Sequence, residues 1–392
     1  MNKKKMAVVF DGLGYGGIER VGVQFVNIFL DLGYDVDVIN LQPDKNEMEG
    51  EFPDKAHIIS GGKFFYLIPE IYMAGVKRWS IGKYVYPIIY ALTKGLMLVE
   101  RFFRRRKEKY DIGVAFAGHF RDLSYVAYNF VRSEKKICWL HGGLIGYLTL
   151  SSTYGDMYRK IRNLVVLSEL YQELALDNNA YLKHEVFIDK IYNPIRVNDV
   201  EVDEEFVMRL QAEYGDFFLM VGRFEGDKDQ KTVIRAIRVL KDDYHMTPNM
   251  VFVGDGSKLD ECRAYALEME VEDQVIFMGG RSDVNNFYAA AKLFIHSSPA
   301  EGLPTVLLEA MKFSLPIVAT NSPPGVEEIL QSGKYGVQCN IGDAEDMAQK
   351  VHAILTDDQL YQKYSQGSIE CLKTFRYETI CEKTKHKLET LQ

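Results

Sequence analysis

The sequence predicts an α/β fold: two Rossmann-like domains with parallel sheets facing across a cleft. Three observations predict it. Short apolar runs of strand length alternate with longer segments of helical period. That rhythm runs twice, broken by an acidic, polar stretch at 196–215 that reads as a crossover between domains. Glycines and cations gather just after the apolar runs, where open parallel sheets bind ligands. At 392 residues the chain exceeds one ordinary core, which also favours two domains.

Met6 to Phe10 reads as a buried parallel strand. A helix follows, with Ile18, Val21, Phe25 and Phe29 on one face and Gly33 at its end. Tyr34 to Asn40 closes the βαβ unit. Gly12, Gly14 and Gly17 match the dinucleotide spacing G-x-G-x-x-G, but the second strand ends Val38-Ile39-Asn40, with no acid for a ribose. The corner is therefore read as one where another substrate's phosphate or sugar approaches the backbone. Asp111 to Phe116 and Lys136 to Leu140 are further strands, the second leading into His141. A histidine at the C-terminal end of a parallel strand stands where ligands bind, against the plainer reading of a structural imidazole. Val165 to Leu167 and Val186 to Ile191 complete the first half, and Asn193-Pro194 is a turn.

Residues 73–110 break the rhythm. Lys77, Arg78, Lys83, Lys94, Arg101 and the run Arg104 to Lys107 stand among Trp79, Tyr84, Tyr86, Tyr90, Phe102 and Phe103. Pro87 and Lys94 interrupt the apolar part, so it should not span a bilayer. Two readings stay open: a basic, aromatic surface for an anionic membrane, and a helix pair packed on its domain with the basic face in water.

In the second half Phe217 to Val221 ends in Gly222-Arg223, and a loop carrying Asp227 and Lys228 enters a helix marked by Thr232, Ile234, Ile237 and Leu240. Asn249 to Val253 closes on Gly254-Asp255-Gly256, and Gln274 to Met278 on Gly279-Gly280-Arg281. Leu293 to His296, Pro316 to Ala319 and Val337 to Cys339 are the remaining strands. The tail from 346 is helical and polar.

The stretch SSPAEGLPTVLLEAMKFSLPIVAT at 297–320 holds two carboxylates, Glu301 and Glu309. Pro304 suits a first helical position, and Val306, Leu307, Ala310 and Met311 form an apolar stripe. A helix start between two carboxylates could hold an anion, with hydroxyl acceptors on each side. The bland alternative is an amphipathic helix with two solvated glutamates. Arg223 and Lys228 on the same sheet edge weigh against it, and cations beside a helix N-terminus suit a diphosphate.

Composition narrows the class. The chain is 47% hydrophobic and 26% charged, and its net charge of −8 argues against general nucleic-acid binding. Five scattered cysteines lack metal-ligand spacing and suit a reducing compartment. The apolar run near the N-terminus is too short for a signal peptide. The expected location is cytoplasmic, with peripheral seating on the inner membrane face if 73–110 binds lipid. No Walker loop, serine elbow or zinc-protease helix is present.

With these residues in view, the chain resembles family-four glycosyltransferases of the GT-B type. The matching stretches include GYGGIERV at 14–21, WLHGG at 139–143 and VVLSE at 165–169. They continue with VGRFEGDKDQKTVIRA at 221–236, VIFMGGRSDV at 275–284 and SSPAEGLPTVLLEAM at 297–311. Residues 43–135 match poorly, as expected where acceptors differ. The family's Pro-Asn-Gly is Asn193-Pro194-Ile195 here, its Pro-Glu-Lys is Gly226-Asp227-Lys228, and Gly142 follows the histidine.

The resemblance implies a retaining, metal-independent enzyme using a nucleotide-diphosphate sugar and no further cofactor. The donor expected is a UDP-linked hexose or N-acetylhexosamine, with GDP-mannose open. The acceptor is a saccharide, with a lipid-linked one suiting 73–110, in surface polysaccharide or glycan biosynthesis. Arg223 and Lys228 would bind the diphosphate, Glu301 the sugar hydroxyls and Glu309 the ribose. The N–H groups of Gly302, Leu303, Thr305 and Val306, around Pro304, would cradle sugar and phosphate. Gly279, Gly280 and Arg281 would border the base; Gly16 and Gly17 would close over the diphosphate, and His141 would sit near the reacting sugar. The domains expected are 1–195 for the acceptor and 196–370 for the donor, with 371–392 packing back on the first. Competing readings are an epimerase or phosphorylase of the same fold, a non-catalytic nucleotide-sugar-binding subunit and a dinucleotide oxidoreductase.

Overall fold

A computed structural model describes residues 3–61, 82–104, 107–142, 144, 147–148, 152–168, 182, 185–195, 201–226 and 228–392. Its contacts divide the chain into two compact units: Met1–Pro194 with Ile380–Gln392, and Ile195–Thr379.

The first unit runs β1 (Lys5–Phe10), α1 (Gly17–Asp31), β2 (Asp35–Asn40), β3 (His57–Ser60), α2 (Gly82–Arg104), β4 (Lys109–Ala115), α3 (Phe120–Ala127), β5 (Arg132–Trp139), α4 (Ser152–Ile161), β6 (Asn163–Val166) and β7 (Phe187–Lys190). Its seven strands are parallel in the order β3-β2-β1-β4-β5-β6-β7. β1 is the middle of the early strands because Met6 to Phe10 are apolar on both faces, as a strand covered by helices must be. Phe25 and Phe29 of α1 meet Trp139 of β5, with ring centroids 5.2 and 5.7 Å apart, and lock helix to sheet.

The second unit runs α5 (Glu204–Tyr214), β8 (Phe217–Val221), α6 (Gln230–Asp243), β9 (Asn249–Val253), α7 (Leu259–Glu268), β10 (Val275–Phe277), α8 (Val284–Ala290), β11 (Leu293–His296), α9 (Thr305–Lys312), β12 (Ile317–Thr320), α10 (Gly325–Leu330), β13 (Val337–Cys339), α11 (Ala344–Thr356) and α12 (Asp358–Leu372). Its order is β10-β9-β8-β11-β12-β13, again all parallel. Each sheet reverses its direction of growth once, at β1/β4 and at β8/β11. Such a switch point opens a crevice outside the strand C-termini, because successive connections leave to opposite sides.

The structure adds three features to this reading. The stretch 196–215, read as the crossover, contains α5 in its described part, capped by Asp203 through the Phe206 amide at 3.1 Å and packed ring to ring on Phe287. Its charges face solvent and few apolar residues face inward, which hid the helix. Next, β3 carries only Ile58 and Ile59 between polar ends on a half-exposed edge, too little for a period-2 signal. Finally, α2 runs unbroken through Pro87, which stands in its second turn.

The last helix, α13 (Tyr377–Glu389), joins the first unit from Ile380 onward, whereas 371–379 stay with the second. Ile380, Leu388 and Leu391 are buried, Lys387 pairs with Asp189 at 2.5 Å, and Lys135 reaches the Leu391 carbonyl at 2.6 Å.

Candidate functional site

The switch point of the second sheet brings together loops that follow β8 and β11. Lys228, on the loop after β8, places its Nζ 2.5 Å from Oε1 of Glu301. His296, the last residue of β11, places Nε2 3.3 Å from the same oxygen. His296 is only 2% exposed, and the Glu301 side chain 14%. Burial pushes the Glu301 carboxyl up; the His296 hydrogen bond and the Lys228 charge outweigh it and hold it at about 2. Glu301 is therefore a carboxylate at any physiological pH, held at its place by two cation-capable donors.

The loop itself is fastened. Ser297, fully buried, directs its hydroxyl to the Lys228 and Asp229 carbonyls, each at 2.9 Å. Gln230 donates to the Arg223 carbonyl at 2.8 Å, and the Arg223 side chain is exposed directly after β8. Gly254 brings the β9 loop against this one: a Cβ there would lie 1.9 Å from the Gly222 oxygen, at φ +154. Its N–H donates to the Gly279 carbonyl at 2.8 Å, which ties the β10 loop to the same edge.

Glu301 leads into the Gly302-Leu303 corner and α9. Pro304 is the N-cap with φ −72, and the helix begins at Thr305, one residue later than expected. The Thr305 and Val306 amides lie in the first turn, where no intrahelical acceptor exists. One turn inside, Glu309 accepts from the Tyr288 phenol at 3.0 Å. The corner is backed by α10: Gly325 N–H donates to the Glu301 carbonyl at 3.0 Å, and a Cβ at Gly325 would lie 2.4 Å from the Gly302 oxygen. Gly280 lies beside Asp255, while the Arg281 guanidinium pairs with Asp283 at 2.7 Å and lies over the Phe206 and Phe287 rings. Arg281 is thus engaged within its own loop.

Gly16, Gly17 and His141 belong to the first unit. Gly16 is the N-cap of α1 and Gly17 its first residue. His141 follows β5 with Nε2 buried and without a partner; burial pushes its imidazole down to about 3, so the ring is neutral. At the β1/β4 switch point stands a cluster the sequence did not single out. Asp11 faces His119 at 3.5 Å and Arg121 at 3.7 Å, and Gln42 donates to it at 3.2 Å. The Asp11 hydrogen bond raises the His119 imidazole above its ordinary value. Asp122 is fully buried, accepts the Ala117 and Gly118 amides at 2.8 Å each, and is pushed by burial up to about 7.

Residues 203–370 match the family model described as glycosyl transferases group 1. The matched stretch takes up most of the second unit. A Haemophilus influenzae protein described as an uncharacterized glycosyltransferase is 25% identical over 383 residues, 94% of this chain and 95% of its own. N-acetyl-α-D-glucosaminyl L-malate synthase of Bacillus anthracis is 25% identical over 338 residues, covering 83% of this chain and 86% of that one. Among solved structures, Anabaena HepE in complex with UDP and glucose matches with a TM-score of 0.73, 18% identity and coverage of 99% of this chain and 100% of that one. The shared fold is GT-B, with two Rossmann-like units.

In this glycosyltransferase the second unit gathers Lys228, Glu301, the α9 start and Glu309 on one edge, with Arg223 beside them. Two contributors escaped the sequence reading. His296 looked like the end of a strand, although the signal that drew attention to His141, a histidine closing a parallel strand, was equally present there. Tyr288 lies 21 residues before Glu309 on another helix, and no local pattern joins them. Among the described residues no group of three or more His, Cys, Asp or Glu is placed to hold a metal ion.

Proposed function

We propose that this glycosyltransferase is a retaining enzyme that moves a hexose or N-acetylhexosamine from a UDP-linked donor to a saccharide acceptor in surface polysaccharide or glycan biosynthesis. The observation that carries the reading is the convergence of Lys228 and Glu301 at the β8/β11 switch point, beside the start of α9. Lys228, Arg223 and the α9 amides face the diphosphate, Glu301 accepts from the sugar hydroxyls, and Glu309 holds the ribose. The UDP donor is supported by the similar fold of HepE, which binds UDP and glucose.

Catalysis then comes from charge stabilisation. As the anomeric carbon–oxygen bond breaks, negative charge grows on the β-phosphate, and Lys228 and Arg223 interact with that charge more strongly than with the ground state. The acceptor hydroxyl attacks from the same face, and its proton passes to the departing phosphate. This chemistry draws on Arg and Lys alone and needs neither metal nor further cofactor. Lys228→Ala and Glu301→Ala should each lower transfer at least about 100-fold with folding intact, the scale of losing one charge-stabilising group. Parent-like turnover of both, with donor and acceptor supplied, would remove the site.

The acceptor proposed is lipid-linked, presented at an anionic bilayer surface. On α2, Tyr84, Ile88, Leu92, Leu96, Val99 and Phe103 recur at helical spacing and are more than half exposed. The helix carries Lys83, Lys94, Arg101 and Arg104 against Glu100 alone, in a chain of net charge −8. An exposed apolar stripe with a cationic excess suits anionic headgroups better than water. Residues 73–81 and 105–106 lie outside the described residues. Among the described residues no helix is long and apolar enough to cross a membrane. The protein should sediment with phosphatidylglycerol vesicles and lose this on Leu92→Ser with Leu96→Ser; vesicle binding unaltered by both changes would sink the reading.

A further inference from the structure

We infer that His296 is a positioning residue that keeps Glu301 in place when the donor diphosphate draws Lys228 away from it. The inference rests on the reading of Glu301 as the donor-sugar ligand.

The two partners of Glu301 are unlike. Lys228 stands on a loop and ends in a compact charge on a flexible four-carbon stem. Its Nζ is bound to Glu301 Oε1 at 2.5 Å, yet it is also the cation on this edge that the diphosphate attracts. A phosphate carries more charge than a carboxylate, so the ammonium shifts toward it when the donor arrives. His296 cannot follow. It ends a parallel strand registered to β12, with His296 opposite Ala319, and is 2% exposed.

Without Lys228, Glu301 would be a mostly buried carboxylate, and such a group moves or takes up a proton unless another donor holds it. His296 Nε2, 3.3 Å from Oε1, is that donor. Its Nδ1 is buried without a hydrogen-bond partner, so we assign the proton to Nε2, the nitrogen that has an acceptor. Oε1 then stays on the imidazole, while Oε2 remains for sugar hydroxyls. Because Ser297, the next residue, ties down the Lys228 and Asp229 carbonyls, the same strand end holds both the loop that moves and the carboxylate that stays.

The test separates sugar recognition from nucleotide recognition. Calorimetric Kd values for UDP, UDP-glucose and UDP-N-acetylglucosamine are measured on the full chain and on His296→Leu, His296→Asn, His296→Gln and Glu301→Gln. The readout is the ratio of sugar-nucleotide affinity to UDP affinity. UDP affinity should stay within about twofold throughout. The ratio should fall about tenfold in Glu301→Gln, His296→Leu and His296→Asn. It should be largely restored in His296→Gln, whose longer side chain carries an N–H to the same oxygen. The Asn and Gln variants are alike in polarity, so a folding defect common to both would not separate them. If Glu301→Gln lowers the ratio while His296→Leu and His296→Asn keep it, the donor-sugar reading stands and the inference falls. If Glu301→Gln keeps the ratio, the donor-sugar reading falls and takes the inference with it. Equal losses in Asn and Gln would also overturn it, because a merely structural histidine predicts that result.

Discussion

The Tyr288 phenol donates to Glu309 at 3.0 Å from a separate helix, and Tyr288 is only 1% exposed. This contact fixes the Glu309 carboxylate before any ligand meets it. Tyr288→Phe keeps the ring and removes only the donor. UDP affinity should fall about threefold to tenfold, the scale of one hydrogen bond to a charged group. The unfolding temperature should change little. Calorimetry with UDP checks it, and an unchanged Kd would mean that Glu309 does not hold the nucleotide.

Gly325 and Gly367 make opposite predictions for the same substitution. A Cβ at Gly325 would meet the Gly302 oxygen at 2.4 Å and Leu303 Cα at 2.8 Å, both backbone, so the Glu301 corner must shift. Gly325→Ala should cost about 1–3 kcal/mol, as overpacking does, and lower transfer as well. A Cβ at Gly367 would meet Tyr335 at an ordinary 3.5 Å, inside α12. Gly367→Ala should stabilise by about 0.5–1 kcal/mol. Paired thermal unfolding and transfer assays read both.

Asp122 makes stability fall as pH rises. Its folded carboxyl stands at about 7, against an ordinary 3.8, chiefly because it is buried. The native state therefore binds this proton more tightly than the unfolded chain does, and between about pH 4 and 7 stability declines with rising pH. Asp122→Asn mimics the neutral form and should flatten that slope. Trp139 is buried in the first unit and the second, Ile195–Thr379, contains no tryptophan, so denaturant unfolding followed by tryptophan fluorescence at pH 5 and pH 8 reports the right unit. A parent slope unaltered by the substitution would contradict the assignment.

On α13 apolar burial should matter more than the ion pair. Leu388 is 4% exposed, and Leu388→Ala should cost the first unit about 2–4 kcal/mol. Lys387→Met keeps the buried stem and leaves Asp189, whose side chain is 48% exposed and can be hydrated. Its cost should stay under about 1 kcal/mol, because the buried charge is the one removed and the charge left behind is the one water reaches. The same tryptophan-monitored unfolding ranks the two.

Much of this glycosyltransferase was legible in its sequence. Apolar runs such as Phe217 to Val221 and Leu293 to His296 marked buried parallel strands, since a strand covered on both faces has nothing polar to show. Glycine and proline punctuation located the corner at Gly302 to Pro304, and Lys228 and Glu301 were singled out by their places after strands. What local pattern could not supply was adjacency. Lys228 and Glu301 lie 73 residues apart and touch because β8 pairs with β11 and not with a later strand. Strand order is a matter of long-range pairing, and periodicity within a run carries no information about its neighbour. From the sequence His296 reads only as a strand end, and Tyr288 and Asp11 are given no role. Asp11 meets His119 and Arg121 because β1 pairs with β4, and Tyr288 meets Glu309 because two helices pack together.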